Sequence, residues 1–146
     1  MSKRKFLRDT DHAAFDTLMG FDRYLAKSPL TKIHLELIKI RVSQINGCAY
    51  CIDKHVRDAI NANESIRRIY LLPVWRDTSC FTNEEQLILA LAEEMTLIAG
   101  TGVSDKVYDD TIALLGQQYT TAVMMAIIAM NAWNRIGITT ERKPEP

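Results

Sequence analysis

Residues 33–55 read IHLELIKIRVSQINGCAYCIDKH, and the break in the middle of this stretch decides the fold. Ile33, Leu37, Ile40 and Ile45, with Ile38 and Val42, recur at the spacing of a helix face, which predicts a helix over about 31–46. Asn46-Gly47 ends it, because glycine tolerates the left-handed cap conformation. Cys48 then opens a second helix that runs to about Asn61.

Outward from this pair the pattern stays helical. Ala14, Leu18, Phe21 and Leu25 place an amphipathic helix over 12–27, and Pro29 punctuates the chain after it. Residues 64–72 read as a short helix ended by Pro73, and Val74 to Phe81 as a loop. Thr82-Asn83-Glu84-Glu85 matches a capping box and starts a helix to about Ile98. Gly100-Thr101-Gly102 breaks the chain, Ser104 caps a helix over 105–115, and a last helix covers about 118–135. The tail after Thr139 is polar and carries two prolines. No period-two segment or internal repeat is found. The expectation is an all-α fold of six to seven helices in a single domain over 1–146, with its core at about 12–137.

Two of these helices are apolar on more than one face. Leu87 to Ala92 is six apolar residues in succession, and Ala122 to Met130 is nine. A helix apolar all round must be buried all round, and a small domain has little interior to spare. One reads as a central core helix; the two together point to a subunit interface and a homo-oligomer.

Composition narrows the function. Lys plus Arg is 18 and Asp plus Glu is 18, so the balanced charge gives no reason to expect nucleic acid or an anionic membrane as partner. The apolar share of 47% is enough for a packed core and too high for a disordered chain. The longest apolar run is about half of the ~20 residues a membrane span needs. The basic start at Lys3-Arg4-Lys5 has no apolar stretch behind it and is not a secretory signal. A cytoplasmic location follows as the expectation, and three cysteines there are not a disulfide scaffold.

The chemistry concentrates in Cys48-x-x-Cys51-x-x-x-His55 at a helix start. Helix positions three apart have Cα atoms ~5 Å apart, inside the disulfide window of ~4.4–6.8 Å. Free N–H groups and the helix dipole at an N-terminus favour a thiolate. His55 projects one turn after Cys51 from the same face and can take its proton. If the two helices pack antiparallel, Glu36 comes level with His55 more nearly than with Cys51, giving a proton path Glu36, His55, Cys51. Alternatives remain at this point. The cysteines with His55 supply three ligands of a zinc site, with a fourth to be found among Glu36, His34, Cys80 or water, although the second paired knuckle of structural zinc sites is absent. Both cysteines can also be small buried apolar groups. Cys80 reads as a bystander, His34 as a satisfied, partly buried histidine and His12 as solvated. Trp75 and Trp133 read as core or interface anchors, and Met124, Met125 and Met130 as core. Gly100-Thr101-Gly102 lacks the lysine and the preceding strand of a phosphate loop.

Glu36, eleven residues, Cys48-x-x-Cys51, three residues, His55 resembles the signature of the alkylhydroperoxidase D-like family, within the carboxymuconolactone decarboxylase superfamily. Arg41 to Cys51, Leu72-Pro73-Val74-Trp75-Arg76 and Asn131-Ala132-Trp133-Asn134-Arg135 are similar to further family landmarks, so the resemblance spans about 12–137. It implies an all-helical fold assembled as a trimer or hexamer. It also implies a peroxidase: Cys51 the attacking thiolate, Cys48 the resolving thiol, His55 the base with Glu36 behind it, a hydroperoxide as substrate and an external dithiol or protein disulfide reductant as partner, with no cofactor or metal. The other readings are a non-enzymatic thiol switch, a metal-binding structural module and the superfamily's decarboxylase activity, whose branch does not rely on the thiol pair.

Overall fold

The computed structural model describes residues 4–145. Seven α-helices follow one another: α1 (His12–Leu25), α2 (Lys32–Asn46), α3 (Ala49–Asn61), α4 (Ile66–Leu71), α5 (Asn83–Thr96), α6 (Asp105–Leu115) and α7 (Gln117–Thr139). Short 3-10 segments span Leu7–Asp9 and Leu72–Asp77, and there is no strand among the described residues.

The helix starts lie where side-chain oxygens can take up otherwise unpaired N–H groups. Asp11 Oδ1 accepts from the Ala14 N–H, Thr31 Oγ1 from His34 and Ser104 Oγ from Val107. The expected capping box is complete: Thr82 Oγ1 accepts from the Glu85 N–H at 3.2 Å, and Glu85 Oε2 accepts from the Thr82 N–H at 2.8 Å. Gly47 closes α2 at φ 73° and turns the chain straight into α3.

Helix α2 packs against α3, α5 and α7 and is apolar on two sides because it serves two cores. Ile38 and Val42 join Leu25, Cys48, Cys51, Ile88, Leu91 and Ile127 in one cluster. Leu37 and Ile40 join Ala59, Ile69, Leu72, Trp75 and Leu89 in the other. Burying side chains of this size stabilises by about 1.5–3 kcal/mol each.

Three expectations need correction. Pro73 does not lead into a loop; it sits in the first turn of the Leu72–Asp77 segment, where a missing N–H costs nothing, and the turn buries Leu72 and Trp75. Helix α5 ends at Thr96 rather than Ile98, and α7 runs past 135 to Thr139, its far end placing Gly137 in the interior. The apolar runs also find their cover within the chain. Ile88 to Ala92 are all buried, and in the run from Ala122 to Met130 only Ile128 is exposed. Their composition alone therefore calls for no second copy. By length and composition α7 could cross a membrane, yet its inner face carries buried Thr120 and Asn134, whose polar groups bond to Gly116 and Ser43 as in a core helix.

Candidate active site

The turn at Gly47 puts Cys48 at the N-cap of α3 and Cys51 within its first turn. The two form a disulfide with Cα atoms 5.3 Å apart, inside the expected window. The Cys48 N–H donates to the Ser43 carbonyl, which ties the start of the motif to α2. Under this turn lies a polar joint to α7. Asn46 Nδ2 donates to Asn131 Oδ1 and Asn134 Oδ1, and Asn134 Nδ2 donates to Ser43 Oγ.

Antiparallel packing of α2 on α3 brings Glu36 to His55. His55 Nδ1 and Glu36 Oε2 are 2.8 Å apart, and both residues are buried. Burial pushes the Glu36 carboxyl up, but the His55 hydrogen bond, the Lys39 charge and the Lys32 hydrogen bond outweigh it and hold it down to about 2. Lys32 Nζ is 2.7 Å from Oε1, and Lys39 Nζ is 3.9 Å from it. Burial keeps His55 below the ordinary histidine value despite the opposing pull of Glu36. An ionised carboxylate only accepts, so the neutral imidazole donates its proton from Nδ1 and leaves Nε2 with a free lone pair. That is the tautomer a general base needs.

Cys51 and His55 line a cavity of about 360 Å³, whereas Cys48 does not. Its apolar wall includes Phe6, Phe15, Tyr50, Met130 and Trp133. Phe15 stacks edge-on against both Phe6 and Trp133, with centroids 6.2 and 5.9 Å apart. Trp133 Nε1 donates to Asp22 Oδ2. Trp133 and Met130 are thus cavity walls as well as core residues, while Trp75 is a buried anchor whose Nε1 donates to Glu93. Gly137 on α7 faces the sulfurs: a β-carbon there would lie 3.3 Å from Cys48 Sγ and 3.7 Å from Cys51 Sγ.

The other candidates fall elsewhere. His34 Nδ1 pairs with the Tyr119 hydroxyl at 2.6 Å, and burial lowers its pKa. His12 is exposed at the start of α1. Cys80 is a free thiol packed against the second core, away from the pair. Of the fourth ligands weighed from the sequence, His34 and Cys80 lie elsewhere, while Glu36 is bonded to His55. Glu36, His55 and Asp58 do lie within 4.8 Å of one another, but the Lys32 ammonium occupies Glu36. Lys32 and Lys39 went unremarked in the sequence although they lie at i−4 and i+3 from Glu36, a readable spacing. Gly137 and Phe6 give no local signal, because long-range packing brings them in.

Comparison with known proteins identifies the family and the fold. The sequence pattern of the carboxymuconolactone decarboxylase family matches residues 12–94. An uncharacterised protein of Bacillus subtilis, YdfG, is 36% identical over 138 residues, covering 94% of each chain. A protein of unknown function from Agrobacterium tumefaciens, suggested to be the antioxidant defence protein AhpD, superposes over the full length of both chains with a TM-score of 0.94 at 31% identity. An uncharacterised peroxidase-related protein from Silicibacter sp. TM1040 shares the fold, with a TM-score of 0.81 at 18% identity over 92% of this chain and 72% of that one. The chain belongs to the carboxymuconolactone decarboxylase family and has the all-helical fold of its AhpD-like members.

Proposed function

We propose that the protein is a thiol-dependent oxidoreductase that reduces organic hydroperoxides through Cys48 and Cys51. One observation carries this reading: Cys51, disulfide-bonded to Cys48, stands in a cavity wall together with a histidine whose tautomer a buried carboxylate fixes. In the reduced protein His55 Nε2 takes the Cys51 proton, helped by the first turn of α3. The thiolate attacks the distal peroxide oxygen, the O–O bond breaks, and Cys51 becomes a sulfenic acid. The departing alkoxide takes the proton from His55 and leaves as the alcohol. The Cys48 thiol then displaces hydroxide from Cys51, and water and the disulfide form. An external dithiol or a protein disulfide reductant supplies two electrons and two protons to restore both thiols. The reading places a homo-oligomeric enzyme in the cytoplasm, where such reductants are kept reduced.

Trapping the intermediate tests the roles. Reduced Cys48→Ser exposed to cumene hydroperoxide gives a sulfenic acid on Cys51, captured by dimedone and located by mass spectrometry. Cys51→Ser gives none on Cys48. Equal inertness of the two variants overturns the assignment of attacking and resolving thiols.

A further inference from the structure

The cavity has two ends of different chemistry. Cys51 and His55 are buried and form its floor. Arg8 and Arg142 line it too, but are exposed and so stand at its opening. The Arg142 guanidinium lies 4.0 Å from the Tyr50 ring centre and 4.5 Å from that of Phe6, and Arg8 lies 5.8 Å from that of Phe15. These rings hold the cations over the aromatic wall without neutralising them, and neither arginine forms an ion pair among the described residues. The other cations differ. Lys54 pairs with Asp58 at 2.7 Å, and Lys39 lies beside Glu36. Asp22 is the one carboxylate in the lining, and its Oδ2 is bonded to Trp133.

The two chain ends meet at this opening: Arg4 Nη1 donates to the Thr139 carbonyl, and the Arg142 guanidinium, its N–H bonded to the Gly137 carbonyl, lies over the Phe6 ring. Phe6 and Arg142 therefore cover the cavity from opposite ends of the sequence. An arginine fork matches a carboxylate in two parallel hydrogen bonds. A volume near 360 Å³ lies within the roughly 300–1,000 Å³ of small-molecule pockets and far exceeds what hydrogen peroxide needs.

We infer that the cavity selects amphipathic hydroperoxides with an apolar body and a carboxylate at the end remote from the peroxide. The body lies on Phe15 and Trp133, the carboxylate meets Arg142 and Arg8 at the opening, and the peroxide reaches Cys51. This rests on the peroxidase reading and adds a substrate class to it.

The test compares cumene hydroperoxide bearing a para-carboxylate with its para-methyl ester, at low ionic strength, on the reduced full-length protein. The expected result is an acid-to-ester rate ratio of tenfold or more. The ratio falls below threefold in the double variant Arg8→Gln, Arg142→Gln and is retained in Arg142→Lys, which keeps the charge. If the arginines serve only to favour the Cys51 thiolate, both rates fall together with the ratio near one in the wild type, and the inference is overturned. A second arm needs no redox chemistry. Binding of para-isopropylbenzoate and of its neutral amide is followed by Trp133 fluorescence, with Trp75→Phe as the background. Tighter benzoate binding that is lost in the double variant supports the carboxylate site even if no hydroperoxide reacts, a result that would sink the peroxidase reading alone. Equal binding of benzoate and amide overturns the site.

Discussion

Glu36→Gln keeps the shape of the side chain and removes its charge. The carboxyl is held at about 2 against an ordinary 4.5. At 1.36 kcal/mol per tenfold change in proton affinity, the charged form is worth about 3 kcal/mol of folding free energy at neutral pH. A carboxyl depressed in the folded state stabilises above its unfolded value, and that stability is lost as pH falls through the folded one. Urea unfolding of the oxidised wild type and of Glu36→Gln across pH 7 to pH 2 reads this directly. The variant is expected to be about 3 kcal/mol less stable at pH 7. The gap narrows below about pH 4.5 and is small at pH 2, where the wild-type carboxyl is itself half protonated. A gap that stays constant over this range would refute the ion-pair account of Glu36.

Four other outcomes follow from the same site. In the oxidised protein the His55 imidazole, titrated by NMR and assigned with His55→Gln, has its inflection below 6.5, because burial outweighs Glu36. His55→Gln slows the reaction of reduced protein with hydroperoxide most near neutral pH and less at high pH, where the thiolate forms unaided; a uniform loss at every pH would remove His55 as the base. Gly137→Ala places a β-carbon 3.7 Å from Cys51 Sγ and lowers the second-order rate several-fold. Its stability stays within about 1 kcal/mol of wild type, since alanine's helix preference offsets the crowding; an unchanged rate would show that this face of the sulfurs is not the approach. Asn134→Ala removes the partner of Ser43 and Asn46 and costs about 1–3 kcal/mol in urea unfolding.

The helices could be read because local chemistry sets their ends. The glycine at 47, the capping box at Thr82 and the cap at Ser104 act within one turn, and the structure uses each as read. The meeting of Glu36 with His55 was legible for a related reason: a two-residue turn leaves two rigid helices little choice of register. Distant contacts were not legible. The aromatic wall joins Phe6 to residues of α1 and α7, and Arg4 reaches Thr139 across 135 positions. No spacing rule anticipates such a pairing, so the cavity and its arginines emerged only from the fold. The apolar runs of α5 and α7 together suggested a partner subunit; within one chain α2, α6 and α7 cover Ile88 to Ala92 of the α5 run. Pro73 shows the limit of punctuation, because the same residue that ends a helix also starts the next turn.

The measurement that bears most directly on the central claim is a free-thiol count on reduced, metal-free protein before and after one equivalent of cumene hydroperoxide. The chain has three cysteines. The account predicts loss of two thiols per chain, mapped by mass spectrometry to a Cys48–Cys51 bond, with Cys80 left free. A count that stays at three would contradict peroxide reduction at this site.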